Sequence, residues 1–103
     1  MERMYPGAAA VVPAPERLVA ETRVDFRCAA LDTVGRVGAS GAREVTIDLA
    51  GTRDLDASGL GILVLVQKKA REQGITTRLA HVPGRVRHLL SLTRLDFLFE
   101  FDE

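Results

Sequence analysis

The chain of 103 residues is 47% apolar and 27% charged, which suits one ordinary globular domain with a small core. Basic and acidic residues number 14 each, so the overall charge gives no attraction to nucleic acid or to an anionic membrane. The single cysteine, Cys28, excludes an internal disulfide, and with His81 and His88 it lacks the spacing of a zinc site. We therefore expect no bound metal and no nucleic-acid partner, and we interpret Cys28 as a small buried residue.

The N-terminal segment MERMYPGAAAVVPAP lacks the basic and long apolar regions of a secretion signal. The longest apolar stretch, residues 62–66, is far too short to cross a bilayer. We expect a cytoplasmic protein without direct membrane insertion, in which residues 1–8 are a flexible N-terminus and residues 9–103 form one domain.

The first half of the chain predicts a strand, a helix and a second strand. A short strand is expected around residues 9–12, ended by Pro13 and Pro15. A helix over residues 23–37 has helically spaced apolar side chains, and GASG then ends it. Its inward residues are Phe26, Ala29, Ala30, Val34 and Val37. Residues 44–49 form a β-branched run between turn residues, which is typical of a buried parallel strand.

The second half predicts a longer helix, then strand, helix and a final apolar segment. Ser58 is the expected N-cap of the first of these helices and Gly74 follows its end, so it spans about four turns with Leu63 and Val66 in the core. A strand at 76–82, a helix at 85–92 and an apolar piece at 95–101 follow. Val86, Leu89 and Leu90 are the expected inward residues of that last helix. This alternation predicts an α/β fold: a mixed, mostly parallel central sheet of about four strands with helices packed against it.

The segment GTRDLDASG, where a strand gives way to a helix, is the place where such sheets carry function. Val64 stands where a dinucleotide-binding fingerprint needs its third glycine, and Ile62 and Leu63 replace the lysine and hydroxyl of a Walker loop. Asp56 stands where a hydrolase G-x-S-x-G elbow needs its first glycine. Neither histidine is near an obvious acidic residue that would orient it for catalysis. Nucleotide binding and hydrolysis are therefore poorly supported, and we expect no enzymatic activity and no cofactor.

Asp56 and Ser58 have a simple structural interpretation as helix-capping residues, because a carboxylate and a hydroxyl accept the free N–H groups of a helix start. This does not exclude a second role, since the same N–H groups favour a docked carboxylate or phosphoryl group. Arg53, at the mouth of the loop, either pairs locally or reaches a partner carboxylate.

The stretch VTIDLAGTRDLDASGLGILVLVQKKAREQG, followed by RVRHLLSLTRLDFLF, resembles a STAS domain of the kind found in bacterial anti-sigma factor antagonists. The resemblance covers residues 45–99, and the Asp56-to-Gly61 sequence opening an apolar helix is its most specific part. Toward the N-terminus it is weaker, because PAPERLV replaces a glycine-rich strand end closed by an aspartate, whose position corresponds to Val19. Only one short strand is expected before Val19, where antagonists generally have a pair.

The resemblance implies a switch protein of bacterial transcription regulation without chemistry of its own. Such an antagonist binds an anti-sigma factor that is also a GHKL-type serine kinase, which frees the sigma factor, and phosphorylation of the antagonist then releases it. The implied partner-binding residues are Arg53, Asp54, Asp56, Ala57, Ser58, Gly59, Leu60 and Gly61. The protein itself is expected to be a monomer or a weak homodimer.

The family's phosphoryl acceptor directly follows the aspartate, and here that position is Ala57, which has no hydroxyl. Three interpretations stay open: constitutive binding, control elsewhere, or phosphorylation of Ser58. An alternative function is the STAS subunit of a phospholipid-transport ABC system, which docks on an ATPase subunit. The G-L-G sequence and the closing LDFLFEF favour the sigma-regulatory branch.

Overall fold

The computed structural model describes residues 10–102. Residues 1–8, expected to be a flexible N-terminus, and Ala9, the expected first strand residue, lie outside this part. The elements in chain order are β1 (Ala10–Pro13), β2 (Arg17–Leu18), α1 (Arg23–Ser40), β3 (Glu44–Asp48), β4 (Asp54–Leu55), α2 (Ala57–Glu72), β5 (Thr76–Ala80), α3 (Gly84–Leu92), a short 3₁₀ helix (Asp96–Leu98) and β6 (Glu100–Asp102).

The main sheet has four strands in the order β1-β3-β5-β6, and every pairing within the described residues is parallel. In register, Ile47 of β3 lies between Val12 of β1 and Leu79 of β5. The predicted α/β fold with a mostly parallel sheet of about four strands is confirmed, and no antiparallel strand occurs between residues 10 and 102.

A second sheet consists of only β2 and β4, which pair in parallel with Leu18 opposite Leu55. Neither strand is predictable from the sequence, because two residues are too few to show a periodic pattern. Instead of the one strand expected before Val19, the described residues contain two, β1 and β2. The second of them supports the loop that leads into α2.

The interior strand β3 shows why its sequence predicts burial. Val45 and Ile47 are buried, whereas Thr46 and Asp48 on the opposite face are only half-buried. β1 lies at the edge of the sheet and ends at Pro13, where a residue without an N–H group is tolerated.

Helix α1 runs three residues beyond its predicted end and stops at Gly41, whose φ of 85° is the left-handed conformation common just after helices. Phe26, Ala30, Val34 and Val37 are buried as predicted. Ala29 is exposed, so its predicted inward orientation is wrong. Buried Thr33 completes the inward stripe, and its hydroxyl donates to the Ala29 carbonyl at 3.0 Å.

Helix α2 is the most deeply buried helix segment described, which explains why its first half is apolar on nearly every side. Leu63 and Val66 have no exposed surface, confirming the prediction that they belong to the core. Leu60, Ile62 and Ala70 are also buried. The helix packs between α1 and strand β5.

The C-terminal elements follow the prediction with small shifts. β5 ends at Ala80 rather than residue 82, because His81 takes a left-handed conformation with φ of 55°. In α3, Val86 and Leu90 are buried and Leu89 is half-buried. The apolar segment 95–101 forms the 3₁₀ helix and then enters β6, parallel to β5.

Within residues 10–102, no helix is both long and apolar enough to span a bilayer, and no three metal-ligating side chains are grouped as a metal site.

Cys28 is exposed, so its interpretation as a buried residue is wrong. It lies on the solvent side of α1, two residues past buried Phe26.

Candidate functional site

The loop between β3 and α2 is held against the segment that precedes β2. The buried side chain of Thr52 donates to the Pro15 carbonyl at 2.9 Å. The backbone N–H groups of Arg53 and Asp54 both donate to the Glu16 carbonyl, at 2.7 and 3.1 Å. The loop therefore reaches α2 along a fixed path.

Asp56 is the N-cap of α2, and the prediction that Ser58 has this role is wrong. Ala57 is the first helical residue, and extended Asp56 places its Oδ1 2.9 Å from the Gly59 nitrogen, whose N–H it accepts. Ser58 already lies inside the first turn. A capping side chain belongs to the residue just before the helix, from where it can accept the N–H of the third helical residue. Only Asp56 has this position.

The Asp56 carboxylate also joins two parts of the chain. Its Oδ2 accepts the N–H of Ala20, which follows β2, at 3.2 Å. The backbone N–H of Gly59, with those of Ala20 and Ser58, holds the pKa of Asp56 below its ordinary value, against the opposing effect of desolvation. Since its oxygens are engaged with backbone donors, Asp56 orders the site rather than offering a free carboxylate.

Ala57 and Ser58 differ in their surroundings. Ala57 is exposed and carries no polar side-chain atom. The Oγ of half-buried Ser58 accepts from Nη1 of Arg23, the first residue of α1, at 3.5 Å. The Ser58 hydroxyl thus bonds to a neighbouring helix, not to the backbone donors of its own helix start.

Gly59 is the point of closest approach between α2 and β2. A Cβ on Gly59 would collide with the carbonyl oxygen of Leu18 and would lie 2.9 Å from the carbonyl carbon. Leu18 is fully buried. A glycine is therefore required here so that the helix start can lie on the small sheet.

Gly61, two residues later, has the opposite environment. It is exposed, and apart from the backbone of its own helix and its chain neighbours no atom lies within 4 Å of where its Cβ would be. Leu60, between the two glycines, is buried. The motif residues therefore divide into an inward set of Gly59 and Leu60 and an outward set of Ala57 and Gly61.

The charged residues before the cap are exposed and paired. Asp54 lies between two guanidinium groups, with Oδ2 3.5 Å from Arg17 Nε and Oδ1 3.3 Å from Arg85 Nη2. Arg53 pairs locally with Glu16 at 3.8 Å. Pairs this exposed contribute about 0–1 kcal/mol each, so these side chains can exchange partners at little cost.

Beside Asp54, a groove of about 760 Å³ separates the small sheet from α3. This groove was not predicted from the sequence, because even Asp54 and Arg85, on its two sides, lie 31 residues apart in the chain and no local pattern joins them. Its lining residues are Arg17, Val19, Glu21, Asp54, Leu55, Asp56, Arg85, Val86, His88, Leu89 and Leu92.

A second polar contact lies at the carboxyl ends of β3 and β5, before the loop. Asp48 Oδ1 lies 3.0 Å from His81 Nδ1 and accepts the N–H of Ala50 at 2.9 Å. The Ala50 N–H first, and then the His81 side chain, hold the pKa of Asp48 below its ordinary value. This contact fixes the turn that begins the loop.

Comparison with known proteins identifies the family to which this arrangement belongs. A family model described as "Mlab, STAS domain" matches residues 8–100. The chain belongs to the STAS domain family. The resemblance seen in the sequence is thereby confirmed, and it extends over the N-terminal region where the motif match was weak.

Two solved structures are similar to this STAS domain. One is a protein of Thermotoga maritima provisionally assigned as an anti-sigma factor antagonist, with 25% identity and a TM-score of 0.74, covering 90% of this chain and 80% of that one. The other is an anti-sigma factor antagonist (STAS) domain protein of Planctomyces limnophilus, with 22% identity and a TM-score of 0.78, covering 95% and 85% of the two chains. At 22% identity, the similarity to the Planctomyces limnophilus protein shows a shared fold only. Together with the family model, the comparisons support a regulatory binding module.

Proposed function

We propose that this STAS domain is a non-enzymatic regulatory module that binds a partner protein through the loop before α2 and the exposed side of the first two turns of α2. One observation carries the proposal: the motif has a packed inward side and a bare outward side. Gly59 and Leu60 are buried against the fold, whereas Ala57 and Gly61 are exposed, and no atom from beyond the local helix lies within 4 Å of where a Gly61 Cβ would be. Such a face allows a partner backbone to approach α2 closely.

The proposed partner is an anti-sigma factor that is also a GHKL-type kinase, the partner class of the antagonists that this chain resembles. The exposed side chains of Arg53 and Asp54 extend the same surface beside the helix. Because Ala57 has no oxygen to accept a phosphoryl group, the usual means of release is absent at this position. We propose that the domain binds its partner constitutively, without nucleic acid, metal or cofactor.

A second candidate is a STAS subunit that docks on the ATPase subunit of a phospholipid-transport ABC system. One observation favours it: the matching family model carries the description "Mlab, STAS domain". Both candidates use the same face of α2, and they differ in the partner.

Affinity capture with the full chain followed by mass spectrometry separates the two candidates, since the captured partner is either a GHKL-type kinase or a transport ATPase. The surface is tested with two matched helix glycines that have open space around them, Gly61 in α2 and Gly35 in α1. Gly61→Arg should abolish capture of the partner, whereas Gly35→Arg should not. Both should fold, because arginine is favoured over glycine inside a helix.

Capture that survives Gly61→Arg would contradict the proposed surface. Recovery of neither partner class by the wild-type domain would contradict both candidate functions.

A further inference from the structure

The groove between the small sheet and α3 has sides of opposite charge. The first side is formed by β2, the turn after it, β4 and the α2 cap. It carries three acidic residues, Glu21, Asp54 and Asp56, and one basic residue, Arg17. The second side is α3, which carries Arg85 and His88 and contains no acidic residue. The groove is therefore acidic on one side and basic on the other.

The charges of the groove can engage a partner without loss of the fold. Asp56 is held by backbone donors and stays in place. Among residues 10–102, the ion-pair partner found for Arg85 is Asp54. The Asp54 carboxylate also forms an ion pair with Arg17. The side chains of Arg85 and Asp54 are 67% and 56% exposed, so Arg85 can turn to an external carboxylate at little cost.

Apolar side chains lie between the two charged sides. Val19 and Val86 are buried beneath the groove, and Leu89 is half-buried. Leu92, one turn after Leu89 on α3, is 67% exposed and also lines the groove. An apolar side chain from a partner would cover Leu89 and Leu92 together.

We propose that this groove binds a segment of a partner protein in which an apolar side chain lies between an acidic residue, directed to Arg85, and a basic residue, directed to Glu21. The inference rests on the proposed function, and it specifies which partner side chains bind at one edge of the proposed partner-binding surface. The groove's volume of about 760 Å³ is sufficient for three side chains.

The direct test uses short peptides and backbone amide NMR shifts of the full chain. The probe is acetyl-Glu-Leu-Lys-amide, and the comparison peptides are Glu-Leu-Glu, Lys-Leu-Lys and Glu-Gly-Lys with the same end groups. We expect Glu-Leu-Lys to give saturable shifts at Glu21, Arg85, Leu89 and Leu92, with a dissociation constant at least about threefold below those of the other three. No saturable shift in the groove, or equal affinity for any of the three comparison peptides, would overturn the proposal.

Charge reversals test the same groove with the partner captured above. Arg85→Glu and Glu21→Lys should each weaken partner binding about tenfold, whereas Arg71→Glu and Glu72→Lys, exposed at the end of α2, should change it by less than about twofold. Thermal midpoints confirm that all four variants fold. If Gly61→Arg abolishes binding but both groove variants bind as wild type does, the groove proposal fails and the proposed function stands. If Gly61→Arg has no effect, the proposed function fails, and the peptide result alone decides the groove.

Discussion

Gly59 lies so close to Leu18 that the carbonyl oxygen of Leu18 occupies the space where a Cβ would be. The two nearest atoms are those of the Leu18 backbone carbonyl, and the Cγ of Leu18 would lie 3.0 Å from the added Cβ. Since a backbone carbonyl cannot swing aside as a flexible side chain does, the two elements have to move apart to admit even a methyl group.

Gly59→Ala should destabilise the domain by about 1–3 kcal/mol, because the added methyl group forces a backbone shift in a packed region. Gly61→Ala, in the same helix but with open space around it, should stabilise the domain by about 0.5–1 kcal/mol. Urea unfolding of both variants measures the difference. Equal effects of the two substitutions would show that α2 does not rest on β2 as described.

Leu63→Ala should cost about 2–5 kcal/mol, because Leu63 is fully buried and its removal leaves a cavity. Leu92→Ala is the matched control, since Leu92 is 67% exposed, and it should change the unfolding free energy by less than about 0.5 kcal/mol. Chemical denaturation again provides the measurement. A small cost at Leu63 would mean that the inward side of α2 is misplaced.

Asp56→Ala should lower the thermal midpoint at neutral pH, because it removes the acceptor for the Gly59 and Ala20 N–H groups. The pKa of Asp56 is lowered in the folded state, so its charge stabilises the fold above the ordinary value of 3.8 and this contribution is lost as pH falls through the folded pKa. The difference between the midpoints of wild type and variant should therefore shrink as pH falls below about 3.8.

Asp32→Ala, which removes only an exposed pair with Arg36, is the control and should leave the neutral-pH midpoint nearly unchanged. A constant gap between wild type and Asp56→Ala from pH 7 to acid would show that the carboxylate charge has no part in the cap.

Ala57→Ser should create a phosphoryl acceptor, because it places a hydroxyl on the exposed first residue of α2. Incubation with the captured GHKL-type kinase and ATP should add one phosphoryl group to this variant and none to the wild type, as measured by intact mass. Ser58→Ala in both backgrounds is the control. A phosphoryl group on wild-type protein that disappears in Ser58→Ala would assign the acceptor to Ser58, and constitutive binding would be refuted.

The main elements could be predicted because their signals are local and repeated. In β3, Val45 and Ile47 alternate with polar residues, which indicates one buried face of the strand. In α1, one buried face is indicated by the helical spacing of Phe26, Ala30, Val34 and Val37. The N-cap was misplaced by two residues because Asp56 and Ser58 are both good capping residues, and only the backbone path decides which one precedes the helix.

The groove could not be predicted, because Asp54 and Arg85 meet only through the tertiary fold. The same is true of the contact between Gly59 and Leu18, since a glycine required by a neighbouring carbonyl looks the same in sequence as the unconstrained Gly61. Residues that act within one helix or strand were therefore accessible to sequence reasoning, and residues that act between elements were not.

The bare outward side of α2 bears on how such a domain can diversify. Ala57 and Gly61 are exposed, and a Cβ at Gly61 would meet no neighbouring side chain, so substitutions there are largely uncoupled from the packing beneath them. Duplicated copies of this gene could therefore acquire different binding preferences one residue at a time, each intermediate remaining folded. New partners become accessible by drift on a scaffold whose inward residues stay under constraint.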